Sequence, residues 1–340
     1  MARIITFGEI MLRLQPENYL RFFQSDRMEA TFGGGEANVA VSLANFEEPV
    51  AFVSKLPAHD IGQAAVNSLR YFGVDTSLIT RGGDRVGIYY NEKGASQRPS
   101  KVIYDRAHSA IAEAVAADFD WDRIFTGAEW FHFTGITPAL GQNVAAICLQ
   151  ACQKAKEKGL TVSCDLNYRK NLWSQTEAGQ VMARLLPYVD VLIANEEDAD
   201  KVFGIRAGAT DVDSGELNKA GYIDVARQLA QRFGCQTVAI TLRTSLSASD
   251  NNWAAMLYTA EEAYFSREYA VRIVDRVGGG DSFGAGLIYA SLHQYEPQRR
   301  LEFAVAASCL KHSIAGDYNR VSVKEVENLA QGSGSGRIQR

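Results

Sequence analysis

The feature that most limits what this chain can fold into is a recurring alternation. Short apolar runs of strand length, "RIITFGEI", "VAFVSKL", "WFHFTGI", "TVSCDLN", "DVLIANEED" and "TVAITLR", follow one another along the sequence. Longer stretches with helical spacing separate them, among them Ala37 to Phe46, Ile61 to Phe72, Asn143 to Lys158, Tyr222 to Phe233 and Phe283 to Tyr295. Near-continuous apolar runs have no solvent face, so these strands are expected to be covered on both sides. Parallel strands need long crossovers, and the helices supply them. The pattern predicts one α/β domain over residues 1–330, a doubly wound, mostly parallel sheet with helices on both faces. Ligands in such sheets bind beyond the carboxyl ends of the strands, where Asn167, Asn195 and the segment around Arg243 fall.

Two segments break the rhythm, residues 11–31 and 85–108. In the second, "VGIYYNEKGASQRPSKVIYDR" alternates with period two around a turn containing Lys-Gly, which predicts a hairpin and, with the first segment, a small separate sheet. Residues 204–221 read as a polar, Gly-rich surface loop and residues 331–340 as a disordered tail. With 340 residues, 46% of them hydrophobic, the chain can bury one large core or two ordinary ones. Its formal charge of −5, with Lys and Arg dispersed, leaves no footprint for nucleic acid or an anionic membrane, so neither is expected as a partner. The five cysteines form no C-x-x-C pair, and the N-terminal apolar run carries Glu9 too early for a secretory signal. A reducing cytoplasm is the expected location.

The stretch "DRVGGGDSFGAG", Asp275 to Gly286, sets three glycines and an aspartate at the start of a helical pattern. Glycines let the backbone approach a ligand closely, and a helix starting after them aims free N–H groups and its positive dipole end at that ligand. Gly278, Gly279 and Gly280 are thus a candidate anion hole. Asp281 lies in the first turn, where a carboxylate serves either as a cap or as a base. No Gly-Lys pair occurs in the chain, and Phe283 stands where G-x-G-x-x-G needs its last glycine, so neither common nucleotide fingerprint applies. As a base, Asp281 would accept the proton of an attacking hydroxyl while the glycine amides hold charge on a transferred phosphoryl group.

This stretch resembles the second signature of the PfkB, or ribokinase-like, carbohydrate kinases, and "FGGGEANVAVSLANF" resembles their first. Within that family the likeness runs to the kinases of the sugar acid 2-keto-3-deoxygluconate, through "GEIMLRL", "GIYY", "VIYDRAHSA", "DLNYR", "NEED", "TLRTS" and "DRVGGGDSF". The resemblance covers nearly the whole chain. It implies a ribokinase-like fold, ATP and magnesium as cofactors, and a lid, formed by the two irregular segments, that closes over the sugar and supports a homo-oligomer, a dimer through the lid or larger.

The resemblance also places residues. It sets Gly34, Gly35, Asn38, Tyr89, Tyr104, Arg106, Arg169 and Asp317 against the sugar, and Asp281 at the reacting hydroxyl. Arg106 and Arg169 are the clue to the substrate, because a guanidinium makes paired, charge-assisted hydrogen bonds to a carboxylate that a neutral sugar lacks. Asp105 stands where similar kinases often carry a second Tyr, and strand alternation turns it to the opposite face. Along the nucleotide the resemblance sets Asn167, Arg169, Asn195, Gly278, Gly280 and the loop from Thr241 through Arg243 to Ser245. "NEED" ends on Asp198 where the family has a Glu that organises magnesium through water; Asp198 inherits that role, with Glu196 and Glu197 as substitutes. Asp275 falls where ribokinases hold a potassium ion. His132, His312, Cys148 and Cys152 read as packing.

The expected activity is ATP-dependent phosphorylation of O6 of 2-keto-3-deoxygluconate, giving 2-keto-3-deoxy-6-phosphogluconate and ADP. A neutral-sugar kinase of the fructokinase or ribokinase type, and a non-catalytic sensor on the same fold, stay open at this level, with Arg106 the residue that separates the first two.

Overall fold

A computed structural model describes residues 3–195, 197–206 and 219–332. Most of the predicted 204–221 loop and of the predicted tail, together with Glu196, lies outside the described residues. The strands are β1 (Ile4–Phe7), β2 (Met11–Gln15), β3 (Glu29–Gly33), β4 (Val50–Leu56), β5 (Ile79–Arg81), β6 (Ile88–Glu92), β7 (Lys101–Asp105), β8 (Trp130–Thr134), β9 (Thr161–Asp165), β10 (Val191–Asn195), β11 (Thr237–Ser245), β12 (Asp250–Thr259), β13 (Glu262–Phe265) and β14 (Tyr269–Arg272). The helices are α1 (Gly35–Asn45), α2 (Asp60–Arg70), α3 (Trp121–Ile124), α4 (Gln142–Glu157), α5 (Gln175–Leu185), α6 (Asp198–Phe203), α7 (Lys219–Phe233), α8 (Gly279–Leu292), α9 (Pro297–Lys311) and α10 (Val323–Ala330).

The main sheet runs β13-β12-β11-β10-β9-β8-β1-β4-β5, parallel from β11 to β5 and antiparallel at the β12–β14 edge. Each run recognised in the sequence is one of its strands. Neighbouring residues of a strand enter opposite cores: Ile5 and Phe7 pack with α4, α5 and α7, whereas Ile4 packs with α1, α2, α8 and α9. Burial on both faces is why these strands read as continuous apolar runs instead of alternating. At about 25 cal/mol per Å² of apolar surface removed from water, the two cores supply the main driving force for folding.

The two irregular segments form the second sheet, in the order β3-β2-β6-β7. The predicted hairpin is β6–β7, with Tyr89 opposite Tyr104; β2 pairs antiparallel with β3 and parallel with β6. This sheet is the lid, and only Gly8, Glu9 and Ile10 join β1 to it. Its far strand β7 is exposed along its length. Among the described residues no helix is long and apolar enough to cross a membrane, and all five cysteines are free thiols.

One local expectation is corrected. Residues 241–245 are not a loop: β11 continues to Ser245, paired through Ser245–Asn251 with β12. Backbone pairing with the β12 edge carries the strand past the point where its side chains turn polar and exposed.

Candidate active site

The two glycine motifs meet at one point. Strand β3 ends at Gly33, and Gly34 leads directly into α1; a Cβ on Gly34 would stand 1.9 Å from the carbonyl oxygen of Glu9, so only glycine lets the lid strand and the core pass this closely. Gly278 caps α8 in the left-handed region, φ 85°, which glycine adopts without the Cβ penalty. The Gly279 amide donates back to the carbonyl of Arg276 at 3.2 Å. Free donors at this helix start are therefore the amides of Gly278, Gly280 and Asp281, which have no acceptor among the described residues. A Cβ on Gly280 would meet nothing within 4 Å, so the turn faces open space.

Asn38 Nδ2, from α1, donates to Asp281 Oδ2 at 2.7 Å, while Asn38 Oδ1 accepts from the Gly34 amide at 3.3 Å. One side chain thus ties both motifs together and fixes the carboxylate's orientation. Burial pushes the Asp281 carboxyl up to about 6; the Asn38 hydrogen bond opposes this, Asp317 adds to it, and Arg169 and Lys311 pull it back. Such a group is ionised at neutral pH, and it is basic enough to take a proton.

Beneath the lid lies a charged cluster that joins the expected Tyr89, Arg106 and Asp317 to Arg13 and Glu9, which sequence reasoning missed. Arg13, with no exposed surface, donates to Asp317 at 2.6 Å, to Asp275 at 2.7 Å and to Gln15. The Tyr89 phenol donates to the Asp317 carboxylate, at 2.6 and 2.7 Å from its two oxygens. Burial and then the Asp317 charge push that phenol well above its usual range. Arg106 pairs with buried Glu9, its Nε at 2.8 Å from Oε2 and its Nη2 on the same oxygen, while Ser109 donates to Glu9 Oε1 at 2.7 Å. Three of the five guanidinium hydrogens stay free of Glu9. Tyr104, half-exposed, has the Arg106 guanidinium carbon 5.4 Å from its ring centre.

On the other flank, the carboxyl ends of β9, β10 and β11 bring up the remaining polar residues. Asn167 adopts φ 41° in a turn where its amide donates to Asp165 Oδ1 at 3.1 Å, a conformation Asn tolerates better than most residues. Asn195 Oδ1 accepts the amides of Glu197 and Asp198 at 2.8 and 3.0 Å, which leaves its Nδ2 as the donor it can offer. Buried Asp198 accepts the amides of Tyr168 and Asn195, each at 3.3 Å. Burial, then the charges of Asp198 and Asp281, push Asp165 well above the usual carboxylate range. Thr241, Arg243 and exposed Arg169 complete this flank.

All the predicted site residues except Ser245 border a single cavity of about 530 Å³. Ser245 lies outside it because the strand has carried it two residues beyond Arg243. His132 and His312 are buried and desolvation pulls their rings down, to about 3 and about 4, so both are neutral, as packing histidines should be. Glu9, Arg13 and Asp165 were missed; a single charge inside an apolar strand, as in "MLRL", was the available signal for Arg13.

A parallel sheet opening at its carboxyl ends onto a helix start with free amides, a fixed carboxylate and a covering lid defines a phosphotransferase for a small hydroxylated substrate. The profile of the pfkB family carbohydrate kinases matches residues 1–322, and the chain belongs to that family. The solved 2-dehydro-3-deoxygluconokinase of Thermotoga maritima is 52% identical, with a TM-score of 0.94 over 98% of this chain and all (100%) of that one. The 2-dehydro-3-deoxygalactonokinase of Haloferax volcanii is 33% identical over 98% of both chains. A fructokinase from Xylella fastidiosa, solved with bound ATP, shares the fold at 22% identity and a TM-score of 0.78, over 98% of this chain and 100% of that one.

Proposed function

We propose that this enzyme transfers the γ-phosphoryl group of ATP to O6 of 2-keto-3-deoxygluconate, giving 2-keto-3-deoxy-6-phosphogluconate and ADP. The observation that carries the reading is the Asp281 carboxylate, locked by Asn38 beside the free amides of α8, in a cavity also bordered by Arg106 and Arg169. Two relatives named for 2-keto-3-deoxy sugar acids support the substrate class.

The acid's terminal hydroxyl lies against Asp281 and its oxygen attacks the γ-phosphorus in line. The bond to the β-phosphate oxygen breaks, ADP leaves, and the hydroxyl proton passes to Asp281. A hydroxyl is a far weaker acid than a carboxylic acid, so the proton moves late, and positioning supplies much of the rate. The amides of Gly278, Gly280 and Asp281 stabilise the equatorial oxygens of the phosphoryl group. Asn167, Asn195, Thr241, Arg243 and Arg169 line the path of the nucleotide. Magnesium suits the donor set, since Asp165 and Asp198 are hard oxygen ligands whose crowded charge a cation relieves; with Asp198 already accepting two amides, they would hold it through water. Bound there, the ion neutralises phosphate charge.

At the other end of the substrate, the guanidinium hydrogens of Arg106 left free by Glu9 receive the carboxylate, flanked by Tyr104, with Gly34, Gly35 and Asn38 against the hydroxyls. Tyr89 and Asp317, bonded to each other, present a fixed wall. Arg106→Lys keeps a charge for Glu9 but loses the planar fork. We expect KM for the acid to rise about tenfold to a hundredfold, the equivalent of one charge-assisted hydrogen bond, with the slow turnover of fructose or ribose unchanged. Equal effects on acid and neutral sugars would favour a neutral-sugar kinase instead.

The face of the lid turned away from the cavity carries Ile103, 54% exposed on β7, whereas its neighbour Val102 borders the cavity; that outer face supports a homodimer formed through the sheet. Sedimentation velocity at micromolar concentration should give a dimer; a monomer throughout would remove the assignment.

A further inference from the structure

The family resemblance implies a potassium ion at Asp275, and the residues present do not fit one. Lys311, the last residue of α9, is fully buried (0% exposed). Its ammonium donates to the Ile314 carbonyl at 3.1 Å and lies 3.5 Å from the Asp275 carbonyl. The Asp275 carboxylate is itself taken up by the chain: it accepts from Arg13 at 2.7 Å, from the Gly316 amide at 3.1 Å and from the Val277 amide at 3.2 Å, and Lys93 stands 3.6 Å away. A metal cation entering here would meet an ammonium and a guanidinium in a desolvated space, where like charges repel strongly.

We propose that the Lys311 ammonium is a built-in monovalent cation beneath the anion-binding turn, and that the enzyme therefore needs no potassium. An ammonium and a potassium ion share charge and nearly share size, and backbone carbonyls bind both. Bridging the Asp275 and Ile314 carbonyls, Lys311 ties the chain entering the glycine turn to the loop that leaves α9. Its stem passes directly under Gly278, where an added Cβ would stand 3.2 Å from Lys311 Cε. Asp275, Asp317 and Asp281 surround it, and the charges of these three oppose the cost of its burial. Lys311 touches neither substrate nor nucleotide and acts as a positioning residue: it holds the Gly278 and Gly280 amides in place and sets a positive charge behind them.

The inference rests on the phosphoryl-transfer reading but not on the identity of the sugar. Its test compares wild type, Lys311→Met and Lys311→Ala with N-methylglucamine as the only monovalent cation, then with added potassium or ammonium chloride. Wild-type turnover and melting temperature should be the same with and without potassium. Lys311→Met should lose about a hundredfold in kcat/KM, the cost of a misplaced turn, and stay inactive with potassium because its side chain fills the space. Lys311→Ala opens that space, and potassium or ammonium should restore at least about tenfold of the loss and raise its melting temperature. Potassium activation of the wild type, or an Ala variant that neither cation rescues or stabilises, overturns the proposal. Should both variants fail to fold, cation independence of the wild type still decides the matter. If no sugar is turned over at all, the melting temperatures test the cation site while the substrate reading fails separately.

Discussion

Asp281→Asn is expected to lower kcat by about 10²–10⁴-fold, the range that a positioned general base contributes, while ATP affinity changes little. Asparagine keeps the shape and can still accept the Asn38 hydrogen bond, which spans 2.7 Å, so the fold loses nothing. Removing the carboxylate should even leave the protein as stable or more stable at pH 8. Burial pushes this carboxyl up to about 6 from its ordinary 3.8, so holding it ionised costs the folded state free energy above that value. The same shift fixes the sign of the pH profile. The base must be unprotonated, so kcat/KM of the wild type should fall about tenfold per unit below pH 6, and the residual activity of the variant should lack that limb. Initial rates from pH 5 to 9 with saturating magnesium and ATP read both effects. A variant within tenfold of wild type would remove Asp281 as the base.

Arg13→Met should be the most destabilising of the single changes considered, by about 3–5 kcal/mol, the cost of leaving a buried charge without its partner. Two carboxylates, Asp317 at 2.6 Å and Asp275 at 2.7 Å, share this guanidinium as their nearest cation, and neither is more than 3% exposed. Methionine restores some volume and none of the charge. The lid strand β2 would lose its anchor to the segments before and after α8 and α9, so we expect KM for the sugar to rise as well. A surface pair such as Arg206–Asp200, both members exposed, should by contrast contribute under about 1 kcal/mol. Urea titration measures the difference. A loss under 1 kcal/mol for Arg13→Met would mean that water reaches the cluster and that the lid is not held there.

The contrast between what the sequence disclosed and what it hid has a physical basis. Strands such as Val50–Leu56 and helices such as α4 announce themselves because burial on one or two faces imposes a period on consecutive residues. The glycine turns were legible because close approach of backbone to backbone, as between Gly34 and Glu9, admits one residue type. The end of β11 was not legible, since Thr244 and Ser245 are exposed and their strand conformation comes from pairing with Asn252 and Asn251 across a hairpin. Nor were the ion pairs. Glu9 and Arg106 stand 97 residues apart and Arg13 and Asp317 304 apart, and nothing local marks either pair as buried. Glu9 and Lys311 individually look like ordinary polar residues, and the apolar neighbours of Arg13 in "MLRL" hint at its burial without naming its partners. Only the folding of the lid against the segments before α8 and after α9 brings these residues into a desolvated network, and that is a property of tertiary structure.

The central claim, that Asp281 and the start of α8 direct γ-phosphate onto the terminal hydroxyl of a keto-deoxy sugar acid, is tested most directly by the product. Wild-type enzyme with magnesium, ATP and 2-keto-3-deoxygluconate should yield one equivalent of ADP and a phosphate ester whose phosphorus, in proton-coupled ³¹P NMR, splits against the two C6 protons. Phosphorus on another hydroxyl, or turnover confined to fructose and ribose with the acid left untouched, would contradict it.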